Sequence, residues 1–520
     1  MAPEITVCSF SVCRHQWLSQ LKEFRNSLSP TDREHFSFLE DDRLAGGPGD
    51  CFLITDNHRS ILAFGHLTYF PGEAKKHIAR LGVAVRPNSR RQGWAEDLCR
   101  RMVEHVRSLG LHKIWLSVHS ENHAAVALYD KLGFTVEGVF TDEEITSAGE
   151  YRDVLSMSCF LREEDSPSKR IAWCEPDWGE GTAAGIKVMS SGWLTQGRKV
   201  RELEDRLQHM FENRAVCVSS GTMALLLMAQ VAKMQGCRRV VLPALSFAAT
   251  AAPLLFLGLE PLYVDVDLDT VLMDREQADF LLTRYEDAGL LAVHIGGAHV
   301  DRGWLQKHYE SGRFVWEDAA QAVDLCLRPE DKGGSLRAAL SFHAAKTITT
   351  IEGGAVIGPE SLVSLVQSLR QHGESVAHQR YWAFTAGLNG RMTDVQAAMG
   401  LSQLDSLADR VLKRERIWER YRQRLWNTAV VQKIDNGSAS LALVRFPDSA
   451  SRGRVEDALA MAGVETRPVW PPLNWQFGQG DERELPNAAA WHYNGLLLPM
   501  STRMDIPDVD YICDKIVEVV

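Results

Sequence analysis

No stretch of this 520-residue chain approaches the roughly 18 consecutive apolar residues that a membrane span needs, so no membrane partner is expected. The first residues, MAPEITVCSFSVCRHQW, lack the apolar core of a signal peptide, and a cytoplasmic location is the expectation. Positive charge is not in excess: 57 Lys and Arg stand against 68 Asp and Glu, a net charge of −11. A nucleic-acid partner needs a basic face and is excluded on that ground, although a local basic pocket is not. The ten cysteines include no Cys-x-x-Cys pair, and Cys8 and Cys13 have no matching His or Cys pair. Reduced, mostly buried thiols and no metal site are expected. Internal repeats and long low-complexity tracts are missing as well. What is present is 45% hydrophobic residues over a length that suggests two or three domains.

The stretch that organises the chain is Leu340 to Gly354, LSFHAAKTITTIEGG. It sets Lys346 among small, hydroxyl-bearing and glycine residues. A lysine poorly solvated in this way drifts towards the neutral, nucleophilic amine that condenses with an aldehyde. A surface lysine in a strand-to-turn loop is the ordinary alternative, and residues upstream weigh against it. In VWEDAAQA, Val315 to Ala322, Asp318 follows a buried-looking strand end. It reads equally as a helix N-cap and as the partner of a protonated pyridine nitrogen. In VCVSSGT, Val216 to Thr222, a strand runs into a Ser/Gly/Thr turn and an apolar helix, a ready phosphate cradle. Ser341 offers a further phosphate contact, and Phe247 a flat surface for stacking. Lysine, acid, cradle and ring together make a pyridoxal 5'-phosphate (PLP) site.

From about Ser191 onward the chain resembles the DegT/StrS family of PLP-dependent sugar aminotransferases. The motifs SGWLTQGRKVRELE, SSGTMAL, EDAAQA, SFHAAKTITTIEGGAVI, QHG, GLNGRMTDVQAAMGLSQLD, ETRPVWPPL and LLLPM stand in the family's order. The resemblance implies that Lys346 carries the cofactor, Asp318 holds the pyridine nitrogen and Gln321 lies against the ring. It implies that Gly221, Thr222 and Ser341 hold the phosphate, with Phe247 beside the cofactor. Asn389 would reach the phosphate of a neighbouring subunit, which implies a homodimer with shared sites. Some relatives are dehydratases with histidine at the lysine position; Lys346 favours transamination here. Arg467, Trp470 and Asn474 are the substrate candidates, Asn474 standing where the family often shows histidine.

The first 160 residues form another unit. His15 to Leu28 carries an amphipathic stripe of Trp17, Leu18, Leu21, Phe24 and Leu28, closed by Ser29-Pro30. A hairpin is expected from Cys51–Thr55 and Ile61–Tyr69, then strands over His77–Val85 and Lys113–Val118. Between these strands Arg90-Arg91-Gln92-Gly93-Trp94-Ala95 turns from strand into helix, where glycine, the helix dipole and basic residues favour a phosphate. A surface loop is the alternative. Then N-x-x-A-x-x-L-Y-x-K-x-G-F spans Asn122 to Phe134, a helix ending at Gly133. The two motifs at this distance resemble the GNAT superfamily of acyl-CoA N-acyltransferases. That resemblance implies acetyl-CoA contacts by Val83, Val85, the loop Arg90, Arg91, Gln92, Gly93, Trp94 and Ala95, and Asn122 on the pantetheine arm. Tyr129 would protonate the departing thiolate, or else be core with its hydroxyl satisfied. His66, His77 and His119 are candidates for the base, each also readable as structural. GEYRDVLSMSCF resembles the closing strand of such acyltransferases.

The fold class is therefore α/β: a GNAT-type mixed sheet over 1–162, a charged linker over 163–185, and a fold-type I PLP-dependent transferase over 186–520. In the last, short apolar strands such as Val240–Pro243, Pro261–Val266, Leu290–His294 and Arg313–Glu317 predict a mostly parallel sheet covered on both faces. Asp265 and Asp267 read as an exposed turn rather than metal ligands. A single helix is expected over Asp394–Leu412 and a small α+β lobe over about 415–520. The two halves suggest transamination of a nucleotide-linked keto-sugar, with glutamate as amino donor, and acetyl-CoA-dependent N-acetylation of the product amine. The alternatives are a CoA-sensing or structural first unit, or a cyclitol or antibiotic-sugar substrate.

Overall fold

The computed structural model describes residues 4–28, 49–56, 58–70, 75, 77–145, 149–161, 170–374, 382–479 and 485–520. The chain separates into two compact units, 1–166 and 167–520.

The first unit is a seven-stranded mixed sheet of β1 (Glu4–Ser9), β2 (Gly49–Thr55), β3 (Ile61–Tyr69), β4 (Ile78–Val85), β5 (Lys113–His119), β6 (Thr135–Ile145) and β7 (Tyr151–Phe160). Its order is β1-β2-β3-β4-β5-β7-β6. The helix Phe10–Ser27 begins five residues before the expected start at His15 and buries Trp17, Leu21 and Phe24 against Leu53, Phe64 and Ala84. The expected Ser29-Pro30 stop lies outside the described residues. On the opposite face, Gly65 leaves room for Met102 of the helix Trp94–Ser108. Only β4 and β5 run parallel, and their ladder is short: Ile78↔Lys113, Ala79↔Ile114 and Arg80↔Trp115. Beyond these pairs the two strands have no ladder between them, and their carboxyl halves diverge.

The second unit holds β8 (Arg214–Val218), β9 (Arg239–Pro243), β10 (Glu260–Val264), β11 (Ala288–Val293), β12 (Val315–Asp318), β13 (Ala338–Ser341) and β14 (Gly354–Gly358) in the order β10-β9-β11-β12-β13-β14-β8. Pairing is parallel from β10 through β13, and β14 is antiparallel to both its neighbours. Alternate residues feed opposite cores. Val216, Val218, Val240 and Val356 pack with the helix Gly221–Met234. Ala215, Cys217, Leu340 and Ile357 pack with Arg198–Phe211 and Asp394–Leu404. Burial on both faces is why these strands read as unbroken apolar runs. The smaller sheet, β15 (Val430–Val431), β16 (Ala442–Arg445), β17 (Arg467–Pro468) and β18 (Gly495–Leu498), is antiparallel and packs on the helices Leu407–Leu425, Ser449–Met461 and Ile506–Val517.

Three expectations need correction. The linker is shorter than 163–185: Ile171 is buried in the small-lobe core and bridges Val464, and Gly181–Ser191 is a helix. The single helix over Asp394–Leu412 is two, Asp394–Leu404 and Leu407–Leu425. Asp265 is no exposed turn but 3% exposed, its carboxylate accepting from the Asn487 and Ala488 amides at 2.9 Å. There it closes the start of the helix Pro486–Asn494, where a negative charge meets free N–H groups. Asp267 alone makes the turn, accepting from Asp269 and Thr270.

Behind β11 and β12 lies a buried ionic network. Burial opposes charge on His299, but the facing carboxylates prevail, Asp324 as an ion pair at 3.1 Å and Asp331 as a hydrogen-bond acceptor at 3.1 Å, and raise its pKa to about 9. Burial likewise opposes charge on Glu317, yet Arg302 and His294 draw its pKa down to about 2. Because the folded pKa of His299 exceeds the ordinary value of 6.5, its contribution is complete below about pH 6.5 and lost as pH rises through about 9. The loss is on the order of 3 kcal/mol. Thermal unfolding of the second unit is expected to shift downward between pH 6.5 and 9.5, with a clearly smaller shift in His299→Gln.

Candidate active site

The parallel strands of the second unit deliver the candidate residues to one edge, the carboxyl ends, where open α/β sheets bind ligands. At the end of β8, Ser220 caps the helix Gly221–Met234, its side chain accepting from the Met223 amide at 3.1 Å. The first amides of that helix have no partner within it. Gly221 is required here: a Cβ on it would lie 2.7 Å from the Ser341 Cβ. The second residue of the glycine pair after Lys346 is equally constrained, since a Cβ on Gly354 would lie 2.6 Å from the Ser220 carbonyl. Gly221 and Ser341 therefore meet in a small cup, with Thr222 exposed at its rim. Asn389 is exposed beside it, next to Gly390, whose carbonyl accepts from the Ser219 amide at 2.8 Å.

Asp318 ends β12, 5% exposed. Its Oδ2 accepts from the Thr250 hydroxyl at 2.7 Å and its Oδ1 from the Ala320 amide at 3.1 Å. The Thr250 hydroxyl is in turn 2.7 Å from that of Ser246. The helix N-cap reading of Asp318 does not hold: the carboxylate closes a turn and no helix starts there, the short 3-10 helix Val323–Leu327 being capped by Ala322, so its remaining lone pairs are left for a ligand. Gln321 is buried, but its Oε1 accepts from the Gly296 amide at 2.6 Å. Phe247 is exposed at the end of β9 and meets Trp470 edge-on at 6.4 Å.

Lys346 stands on a loop tied back on itself: Phe342 bonds Gly353, and Thr350 bonds Phe342, each at 2.8 Å. Gln403 clasps the loop through both the Thr349 amide and carbonyl. Burial lowers the Lys346 pKa to about 8, Asp318 pulling the other way and Arg414 with burial. Part of the residue remains open to a pocket lined by Trp173, Cys174, Thr347, Arg410, Arg414 and Met500. Trp173, Cys174 and Arg414 were missed in the sequence. The first two lay in the supposed linker, and the third looks like one more cation on a charged helix. Arg467 is exposed with its guanidinium 5.7 Å from the Trp173 ring. Asn474 is 2% exposed, and its Oδ1 is a buried acceptor without a partner among the described residues.

These residues fit PLP. The cup that a methyl group would fill suits a phosphate, the buried carboxylate suits a pyridinium nitrogen, and the softened amine suits the aldehyde.

In the first unit, Val83 and Val85 lie half-buried on the diverging half of β4. The loop that follows is exposed and curls through two left-handed residues, Arg91 (φ 62°) and Gly93 (φ 84°). Gly93 then caps the helix Trp94–Ser108 with open space where a Cβ would stand. The helix start that follows leaves its first amides without partners in the helix, a place that favours an anion. The Arg90 Nε donates to the Val85 carbonyl at 3.3 Å, and the Trp94 indole to Gln92 at 3.0 Å. Asn122 caps the helix His123–Lys131 by accepting from the Ala125 amide at 3.2 Å. Tyr129 is buried on that helix, and burial holds its pKa well above the usual phenol range, so it keeps its proton.

The three histidines part company. Burial, aided by Arg80, lowers His66 to about 3, too weak a base for neutral pH. His77 is exposed ahead of β4, at the end where β4 and β5 still pair. His119 ends β5 on the diverging side, its Nε2 2.7 Å from the Glu144 carboxylate.

Comparison with known proteins gives a family for each unit. The DegT/DnrJ/EryC1/StrS aminotransferase family model matches residues 179–517, and the acetyltransferase (GNAT) family model matches 15–134. The chain is 29% identical over 345 residues to the GDP-perosamine synthase of Caulobacter vibrioides, covering 63% of this chain and 92% of that protein. Spr1654 from Streptococcus pneumoniae, assigned as a sugar aminotransferase and solved in a PMP form, superposes with a TM-score of 0.61 at 25% identity, over 68% of this chain and 98% of that one. PseC of Helicobacter pylori, an aminotransferase of pseudoaminic acid biosynthesis, does so with a TM-score of 0.60 over 68% and 99%. At 22% identity that last likeness speaks for the fold.

Gly221→Ala forces a methyl against Ser341. Overpacking of this kind costs the folded protein about 1–3 kcal/mol, so the melting temperature is expected to fall by a few degrees, and the backbone shift that relieves the clash to weaken PLP binding in a spectroscopic titration.

Proposed function

We propose, for a chain that belongs to the DegT/DnrJ/EryC1/StrS aminotransferase family and carries a GNAT-family acetyltransferase domain, two consecutive reactions on one sugar. The second unit transfers an amino group from glutamate to a nucleotide-linked keto-sugar, and the first unit acetylates the new amine from acetyl-CoA. The observation that carries this reading is Lys346, an amine softened by burial and coupled to the carboxylate of Asp318. PLP, when bound, supplies the electron sink for the amino-group exchange.

The residues of the chain then divide the work. Asp318 keeps the ring nitrogen cationic while Thr250 holds its carboxylate in place. The cup of Gly221, Thr222 and Ser341 takes the phosphate. Lys346 moves protons at the carbon that loses or gains nitrogen; a pKa of about 8 leaves it able to do both near neutral pH. Phe247 and Trp470 frame the sugar side, and the unpartnered Oδ1 of Asn474 is an acceptor for a sugar hydroxyl. The kinship to a GDP-sugar enzyme supports a nucleotide carrier. Exposed Trp193, Ile351, Trp382, Phe384 and Leu388 supply apolar surface for a homodimer that completes each site with Asn389. Unpaired Cys51, Cys99, Cys174, Cys217 and Cys326 fit a reducing cytoplasm.

In the first unit, the loop at Arg91–Gly93 takes the CoA pyrophosphate and the gap between β4 and β5 the pantetheine arm. His119, oriented by Glu144, removes the proton of the attacking amine, and Tyr129 returns one to the leaving thiolate. Joining both units raises the local concentration of the intermediate amine.

With keto-sugar nucleotide, glutamate and acetyl-CoA, the pure protein is expected to release the N-acetylated sugar. Lys346→Ala should make no amino-sugar yet acetylate one that is supplied. His119→Gln should accumulate free amino-sugar, its acetylation slowed about 100-fold. Free amine with CoA unconsumed by the unaltered protein would refute the acetyltransferase assignment.

A further inference from the structure

The pocket beside Lys346 contains a buried charge that, among the described residues, has no carboxylate in contact with it. Arg414, on the helix Leu407–Leu425, is 5% exposed. Its Nη1 donates to the Ser440 carbonyl at 2.6 Å. Its Nη2 lies at the limit of bonding to the carbonyls of Ala345 (3.5 Å) and Lys346 (3.4 Å). Its Nε is buried and has no hydrogen-bond partner among the described residues. Among the described residues no carboxylate lies within ion-pair distance of it, whereas Arg410, one turn earlier, is paired with Asp177 at 3.3 Å. Burial lowers the Arg414 pKa to about 10, which leaves it charged at neutral pH. A buried guanidinium facing only carbonyls is costly, and such a charge is ordinarily paired.

The weakly used edge of Arg414 is Nε with Nη2, the fork that matches a carboxylate through two parallel hydrogen bonds. Arg414 and Lys346 line the same pocket, together with Thr347, whose hydroxyl bonds nothing among the described residues. The acids of that pocket are already engaged: Asp177 by Arg410 and Thr502, and Glu175 by Arg503. A carboxylate next to the amine that handles the transferred nitrogen is the signature of a 2-amino acid, whose amino and carboxylate groups share one carbon.

We infer that Arg414 and Thr347 form the carboxylate subsite for the amino donor and for the 2-oxo acid it becomes. This rests on the aminotransferase reading and adds to it the residues that select a 2-amino acid over a simple amine. The nucleotide-sugar then belongs on the Phe247, Trp470 and Asn474 side, and Arg414 does not contribute to its binding.

Two measurements test this. In steady-state assays of the holoenzyme, Arg414→Lys and Arg414→Gln are expected to raise the KM for glutamate at least tenfold while the KM for the keto-sugar stays within twofold. Equal rises in both constants, or an unchanged glutamate KM, would overturn the assignment. The second uses the unaltered protein: glutarate, an unreactive dicarboxylate, should slow alkylation of Cys174, half-exposed in the same pocket, as followed by peptide mapping. Chloride at equal ionic strength should not. Absence of protection overturns the site even if the variants fail to fold. Protection without any transamination would instead retain the carboxylate site and defeat the aminotransferase reading.

Discussion

The desolvation of one amine governs the second unit. Lys346 would be an ordinary cation in water, and burial brings it to about 8, within reach of neutrality. The opposing pull of Asp318 stops it from falling further. That balance needs an environment that is dry but not apolar, and a loop that cannot relax outward. Gln403 supplies the restraint by bonding both the amide and the carbonyl of Thr349.

The sheet places everything else around that loop. Six strands, β8 to β13, run in one direction and end on the same side, so Ser220, Phe247, Gln321, Asp318 and Ser341 converge although more than a hundred residues separate the first from the last. Glycine sets the tolerance. Gly221 and Gly354 allow the backbone at the helix start to press against the neighbouring strand. The ionic network of His294, His299, Arg302 and Glu317 stiffens the ends of β11 and β12 from behind. In the first unit β4 and β5 pair over three residues only, and the ladder between them stops there.

Much of this was legible in the chain. Strand ends followed by Ser-Gly-Thr, by Glu-Asp and by Ser-Phe-His carry their positions with them, because an apolar run that stops at a polar turn marks a strand edge. The loop after β4 declared itself through glycine and charge at a helix start. What escaped reading depended on tertiary partners. Trp173 and Cys174 sit in a charged, glycine-flanked segment with the composition of a linker, and only the packing of the large and small lobes together gives them a place. Asp265 looked like a turn residue because nothing local shows that the helix Pro486–Asn494, over 200 residues later, needs its carboxylate. The break at Asp405–Ser406 occurs in a stretch without glycine or proline, so the periodicity runs through it. Among the histidines, composition could not separate His66 from His119; burial and Glu144 do.

The central claim is that the amine of Lys346, and no other, is the one that condenses with the cofactor. Borohydride reduction of the PLP-loaded protein fixes that bond, and peptide mass spectrometry locates it. The account predicts one pyridoxyl group per chain, on the peptide containing Lys346, removed when excess glutamate is added before the reductant. A pyridoxyl group on a different lysine, or none at all, would contradict it.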